Sequence, residues 1–370
     1  MGETNKTIDI VNSVLDETTQ LKAVVPKVET MSDLENLYQR ITTHPSNKNE
    51  FYEVLTNKVV STSLIQKEFK NPLRELQGEN LLFGEGLEQV FCEFLNSKAY
   101  DETKHFEGST SSVEDLVKGL PPKLKVDYLT KNFDREYKTS VSDVELRKAF
   151  YNVDGMTKLV NKIVGNLTSS ANRDMYKDIK EILVKEDDSQ TWTNEGTKFG
   201  KGAIKQAEES NNKNNLFVSI NGADDKERVQ HLATEVRTYS NSFIFPTTKY
   251  NLAEVETFTD MDDLVYITTP SNSAMLDTMV LANAFNVSST EVKAKTIIVD
   301  DLGTTLGSGS DPKDVIGILC DKNLVQHRLI NDMTTTFVNP ERKNTQNMFK
   351  FIEGVAGLNP FAQFVIFHKE

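Results

Sequence analysis

The chain opens with short amphipathic stripes separated by breaks. Ile8, Val11 and Leu15 fall on one helical face, and Val24, Val25 and Pro26 then interrupt any long helix. Ser32 and Glu35 read as a capping box ahead of Leu34, Leu37, Tyr38 and Ile41. A turn cluster over Thr42–Asn47 is followed by helical spacing in Glu50–Val60, carried by Phe51, Val54, Leu55 and Val59. Each stripe is too small to fold alone. Residues 1–60 therefore read as an arm of short helices that lies on something else.

The next stretch, 61–140, changes period. Asn80–Phe83, Leu87–Leu95 and Leu124–Tyr128 read as strands. Between them Asp101–Leu120, with Gly108, Ser109, Thr110, Ser111 and Ser112 at its middle, is a hairpin-like excursion with little core of its own. A surface insertion and an arm packed on a neighbouring subunit share this pattern. Residues 141–186 carry the strongest helical signal. Ser142 and Glu145 form a second capping box before Val144, Leu146 and Phe150, and Asp154 and Gly155 break the pattern. Met156, Leu159, Val160, Ile163, Val164, Leu167, Tyr176, Ile179, Ile182 and Leu183 then recur at three and four residues. They predict one helix over Met156–Leu183, with a bend allowed at Asn166–Asn172, and a stripe that faces the sheet.

Residues 187–215 are poor in apolar side chains and read as a linker or mobile loop. From Leu216 onward strands and helices alternate. Strands are expected at Leu216–Ile220, Leu264–Thr268, Thr296–Val299, Val315–Leu319 and Phe361–Phe367, and helices at Asp225–Tyr239 and Ser273–Phe285. The near-continuous apolar runs among the strands require burial on both faces. Leu324–Phe337 reads as mostly extended, and Asn347–Gly354 as the start of a strand.

Charge and candidate chemistry change this picture mainly by exclusion. Lys and Arg number 42 against 55 Asp and Glu, for a net charge of −13. A general grip on nucleic acid is not expected from such a surface, although enclosure of DNA without grip is compatible with it. No run is long and apolar enough to span a membrane, and the polar Met1–Lys6 start is not a signal peptide pattern. Cys92 and Cys320 make no disulfide framework, so synthesis in a reducing cytosol is the simplest reading.

Gly196, Thr197, Lys198, Phe199, Gly200, Lys201 and Gly202 imitate a phosphate loop. Only three residues separate the first two glycines, and Gly202 stands where Ser or Thr must hold magnesium. His44, His105, His231, His327 and His368 lack metal-ligand spacing. Asp260, Asp262, Asp263, Asp300, Asp301 and Asp321 flank predicted strands, where an open α/β sheet often places a ligand, but no glycine fingerprint or basic clamp accompanies them. Cys92, between Phe91 and Glu93, has neighbours that disfavour a thiolate and reads as a packed core or interface thiol. No catalytic, cofactor-binding or metal-binding residue is assigned.

The order of elements, together with four local motifs, resembles the major capsid protein of tailed phages, the Hong Kong 97 fold, and in particular those of small podoviruses of Gram-positive hosts (the Picovirinae type). The first motif is Asn71, Pro72 and Leu73 with Gly84–Phe91. The second is Tyr137–Ser142 with Leu146–Phe150. The third is Asp263–Thr268 with Ala284, Phe285 and Asn286. The fourth is Gly317–Lys322 with Phe337–Pro340 and Leu358–Phe361. Together they span roughly residues 50–370 in order.

The resemblance implies an α+β, Hong Kong 97-like fold. Its parts would be an N-terminal arm (1–60), an extended loop (61–140), a spine helix with peripheral domain (141–215), an axial α/β domain (216–335) and a C-terminal return to the peripheral domain (336–370). It implies a major head protein without cofactor that self-assembles through pentamers and hexamers into an icosahedral shell around phage DNA. The virion would be its destination and the host cytoplasm its place of assembly, with no membrane contact. A portal and a separate scaffolding protein are implied as partners, the short arm being too small for a fused scaffold. The rival readings are an encapsulin-like compartment shell, a soluble α/β enzyme binding a phosphorylated ligand near Asp263 and Asp301, and a tail or connector subunit.

Overall fold

The computed structural model of the chain describes residues 6–18, 27–61, 69–81, 86–95, 97, 122–151, 155–184, 200–274, 276, 295–306, 312–339, 342 and 345–369. Val24, Val25, Leu82, Phe83, the Gly108–Ser112 break, His105, Gly196–Phe199 and the second half of the expected Ser273–Phe285 helix lie outside the described residues.

A helix of 30 residues, α5 (Gly155–Val184), runs between two cores. Its apolar stripe is continuous, but the two halves face different partners. Leu159, Ile163 and Leu167 pack with α1 (Lys6–Glu17), α2 (Met31–Thr43), α3 (Pro45–Ser61) and α4 (Asp143–Tyr151). Val11, Val14, Leu34, Leu37, Ile41, Phe51, Tyr52, Leu55, Leu146 and Phe150 belong to that cluster, to which the strands add only Val141 and Met348. This corrects the expectation that the whole stripe faces the sheet. It also shows that the N-terminal segment has a core within its own chain. The stripes reported which faces are apolar, not what covers them.

Local signals set the helix ends. The capping box of α2 is formed by Thr30 and Asp33, two residues before the expected Ser32 and Glu35: Asp33 accepts from the Thr30 backbone N–H at 2.9 Å, and Thr30 Oγ1 accepts from that of Asp33. At α4 the expected box is present, with Ser142 and Glu145 exchanging bonds of 3.3 Å. Lys48 of α3 meets the Asp143 carboxylate with its side chain almost wholly buried, and so fixes α3 to the base of α4.

Three strands form the sheet against which α5 rests: β3 (Phe133–Ser142), β10 (Thr345–Leu358) and β9 (Val325–Val338), in the order β3-β10-β9, all antiparallel. A register shift at Glu353 and Gly354 bends the β9–β10 pair. A Cβ at Gly354 would collide with the Phe133 ring and the Arg328 carbonyl, so the strands approach there only because the side chain is missing.

The second half of α5 packs with Ala171, Ile179, Ile182 and Leu183 on a larger mixed sheet. Its order is β4 (Phe217–Ile220), β11 (Phe364–Lys369), β8 (Pro312–Asp321), β5 (Leu264–Thr268) and β6 (Lys295–Ile298), with β7 (Thr304–Leu306) on β8. Val265, Ile267, Ile318 and Ile366 face the α5 side. Leu264, Tyr266, Leu319 and Phe367 face α8 (Asp225–Ser242) with its Val229, Leu232 and Val236. Cover on both faces is what the continuous apolar runs demanded.

Two boundaries differ from expectation. The 200–215 segment is not a linker: α6 (Ala203–Glu209) buries Ala203, Ile204 and Ala207, and α7 (Lys213–Leu216) buries Leu216. Asn212 Nδ2 donates to the carbonyls of Thr248 and Asn251, each at 2.9 Å. Small side chains on one short face left little hydropathy signal. The division at 336 is also crossed, since β9 belongs to the three-stranded sheet while β11 enters the six-stranded one. Phe364, Val365, Ile366 and Phe367 are all buried, and only a central strand offers cover to both faces.

Candidate assembly surface

The excursion folds as a two-stranded antiparallel ribbon, β1 (Gly86–Cys92) on β2 (Leu124–Thr130). Strict alternation gives it two faces. The outward face pairs Glu88 with Tyr128, Val90 with Val126 and Cys92 with Leu124. Val90, Leu124, Val126 and Tyr128 are 55%, 54%, 41% and 67% exposed. The Glu88 carboxylate, accepting from Tyr128 Oη at 2.9 Å, and Thr130 make this face polar at one end. An exposed apolar face on so thin an element is the usual mark of a contact surface.

The inward face touches the same chain at a few points. Phe91 stacks on Phe361 at 5.6 Å, Phe94 on Phe258 at 6.4 Å, and Lys125 Nζ donates to the Ala253 carbonyl at 2.9 Å. Between these points lies a cavity of about 310 Å³ lined by Gln89, Asp321, Gln326 and Arg328 among others. The Gln89 side-chain amide is enclosed there without a hydrogen-bond partner among the described residues. The ribbon is thus seated loosely.

A second apolar surface lies on the side of the three-stranded sheet turned away from α5. Phe337, Phe349 and Phe351 form a near-parallel ladder, with centroids 5.0 and 6.0 Å apart, and Lys138 Nζ sits 5.2 Å above Phe349. Met333 and Phe337 at its edge are 46% and 42% exposed. A third patch, Ile244, Phe245 and Phe258, follows the end of α8.

The acidic strand ends do not converge. Strand β8 runs antiparallel to β5, which places Asp321 beside Asp263 at one end of the strands, while Asp300 and Asp301 follow the parallel β6 at the opposite end. Asp263 pairs with Lys322. Asp321 accepts from Thr259 Oγ1 at 3.0 Å and from the Asn323 N–H at 2.8 Å, and burial raises its pKa. Burial also opposes the Asp300 charge, but bonds from Lys180 and Tyr176 outweigh it and its pKa is lowered. Asp301 lines a cavity of about 330 Å³ with Arg228, Asn272, Asp314 and Lys369. Among the described residues no group of His, Cys, Asp and Glu has the geometry of a metal site.

The thiols separate. Cys320 is wholly buried in β8, and burial pushes its pKa well up. Cys92 is exposed on the outward ribbon face and is not packed in its own chain's core. His231 Nδ1 accepts from the Asn221 N–H at 3.2 Å on the face of α8, His44 caps the end of α2, and His368 lies in β11. His327 belongs to a constellation that the sequence did not reveal. Its Nε2 lies 3.3 Å from Asp178, which also holds Arg135, and its ring stacks on Phe133 at 5.0 Å. Burial works against the Arg135 charge, yet the Asp178 carboxylate prevails and raises its pKa. These residues join α5 to β3 and β9, and none opens into a cavity described above.

Known proteins match this chain along most of its length. The family model described as Phi29-like phage major capsid protein matches residues 9–368. The major capsid protein of Streptococcus phage Cp-1 is 24% identical over 365 residues, covering 94% of this chain and 91% of that protein. That of Bacillus phage GA-1 is 22% identical over 299 residues; the match takes in 80% of this chain but only 57% of the relative's length. Among solved structures, the capsid of Staphylococcus phage Andhra superposes with a TM-score of 0.58 at 13% identity, over 84% of this chain and 87% of that one. A chain from the structure of the head fiber and inner core protein gp22 of native bacteriophage P68 gives 0.54 at 15% identity, over 83% and 86%. The two structural likenesses carry the fold, which is the α+β capsid fold.

Proposed function

The chain belongs to the Phi29-like phage major capsid protein family, and from that premise we propose that it builds an icosahedral head shell from pentamers and hexamers around packaged phage DNA. As a capsid protein it is a structural component of the virion and not an enzyme. A separate scaffolding protein and a portal are the partners this reading requires, with assembly in the host cytoplasm; these rest on analogy with tailed-phage heads.

The observation that carries the reading is the outward face of the β1–β2 ribbon. Val90, Leu124, Val126 and Tyr128 stand in solvent in the single chain. Fully burying a side chain of this size is worth about 1.5–3 kcal/mol. A few such contacts per subunit, repeated around a closed shell, suffice to hold it without a catalytic or ligand-binding centre. The net charge of −13 fits a container whose surface does not trap the DNA passing into it.

The test is co-production with the scaffold, followed by sedimentation and negative-stain microscopy. Closed shells are expected. Rings without closed shells would point to a connector or tail subunit, and shells filled with a cargo enzyme in place of DNA would point to a cellular compartment.

A further inference from the structure

Among the described residues three arginines are half-buried, and they differ in what they hold. Arg135 grips Asp178, and Arg228 pairs with Asp225. Arg328, on β9, has no carboxylate within ion-pairing distance among the described residues; its side chain donates from Nε to Gln326 Oε1 at 2.9 Å. Gly78 lays bare backbone against that guanidinium, since a Cβ there would collide with Nε. The side chain is thus held at its inner nitrogen, while Nη1 and Nη2 stay without a partner. Arg328 lines the cavity of about 310 Å³ beneath the β1–β2 ribbon. The acids that line the same cavity are engaged elsewhere. Asp321 accepts from Thr259 Oγ1 at 3.0 Å and from the Asn323 N–H at 2.8 Å, and Glu88 accepts from Tyr128 Oη at 2.9 Å.

A guanidinium drawn out of water without an acid leaves both its charge and its donors unmet. Its free nitrogens form a planar fork, and the group that matches it is a carboxylate, which only accepts. The Gln89 amide, enclosed at the same cavity without a partner, marks this seat as incomplete in the single chain. Glu88 and Val90 line the cavity and also belong to the ribbon's outward face, so the cavity borders that face. A copy laid over the face reaches the cavity, and with 55 Asp and Glu per chain it has acids to offer. Resting on the shell reading above, we propose that this cavity is a socket for an Asp or Glu side chain of a second copy of the chain, received on the Arg328 fork. The inserted acid neutralises a half-buried arginine that its own chain leaves unpaired. The apolar ribbon face supplies contact area, and the ion pair fixes the position in which the two copies meet.

The experiment turns the fork into an amine that can be cross-linked. Shells of Arg328→Lys are treated with a water-soluble carbodiimide, which joins an amine to a carboxylate in contact with it. The products are read on a denaturing gel and by peptide mass spectrometry. A covalent dimer linked from position 328 to an Asp or Glu of another copy is expected. Shells that form without such a dimer overturn the inference and leave the shell reading intact. A link from position 328 to Asp321 or Glu88 in a product of monomer mass does the same. If Arg328→Lys does not assemble, the parent chain decides, through modification of arginines by a dicarbonyl reagent. Arg328 should react several-fold less in shells than in unassembled subunits. On the subunits, malonate should protect Arg328 but not Arg237, which is exposed on α8. Equal reaction in shells and subunits, or no protection by malonate, overturns the inference. A parent chain that never forms shells would strike down the shell reading and this inference with it.

Discussion

Arg135 on β3 and Asp178 on α5 are joined by two parallel hydrogen bonds of 2.7 and 2.6 Å, with both side chains almost wholly out of water. The guanidinium fork matches both carboxylate oxygens, and His327 lies against the same carboxylate. Such a pair holds its geometry well but leaves a costly charge when halved.

Asp178→Ala should therefore destabilise the chain by about 3–5 kcal/mol, because Arg135 would remain buried without its partner. Urea unfolding followed by circular dichroism measures this. A loss within the range of ordinary surface changes would mean that Arg135 finds water or another acceptor.

Ile163→Asp should be equally damaging for a different reason. Ile163 is 3% exposed in the helical cluster. An aspartate there would be charged without a partner, at a cost of several kcal/mol. Soluble protein at normal yield and unchanged melting temperature would contradict the packing of α5 against α1, α2 and α3.

Deleting residues 1–50 offers a sharper distinction. A detachable arm could be removed with the rest of the subunit still folded. Here the deletion uncovers Leu146, Phe150, Leu159, Ile163 and Leu167. The truncated chain is expected to aggregate or melt early in a thermal scan, before shell formation is in question. A monomer of native melting temperature would restore the detachable arm.

Val126→Asp on the ribbon should do the reverse. The position is exposed in the single chain, so stability should change by no more than about 0.5 kcal/mol. Shell yield by sedimentation should collapse if a neighbour covers this face. Normal shells would remove the ribbon's outward face from the contact.

Asp321 gives a pH test with a definite sign. Burial raises its folded-state pKa above the ordinary 3.8. The native state thus binds its proton more tightly than the unfolded chain, and this group's contribution to stability falls as pH rises through the window above 3.8. Asp321→Asn keeps an acceptor for Thr259 and Asn323 while removing the charge. The variant should gain on the parent at neutral pH, and the gain should fade in acid. Parallel pH–stability curves for the two proteins would refute the assignment.

Much of the fold was legible because burial leaves a period. The stripe from Leu159 to Leu183 marked α5 to within a residue or two, and Leu264–Thr268 is β5 as expected. Ser142 and Glu145 announced α4 because a cap is a local device. What packs on a stripe is not local, so the helical cluster around Ile163 could not be told from a sheet contact. The α6 turn was missed because Ala203 and Ala207 carry too little apolar surface to register. Arg135, Asp178 and His327 stand 43 and 149 residues apart in their pairs, with no motif to connect them. The ribbon's outward face was legible as alternation. The registers that place Val90 beside Val126, and Asp321 at the opposite strand end from Asp300, required the strands to be paired.

With one end of α5 fastened into the helical cluster and the other into the six-stranded sheet, the helix is a beam of roughly 45 Å, helical without interruption from Gly155 to Val184. A tilt imposed at either end must reappear at the other, because a close-packed wall does not absorb a displacement gradually. Contacts made by a neighbour on α1–α4 would therefore be felt mechanically in the α/β lobe. Curvature of the whole surface could be set by the angle of this single beam.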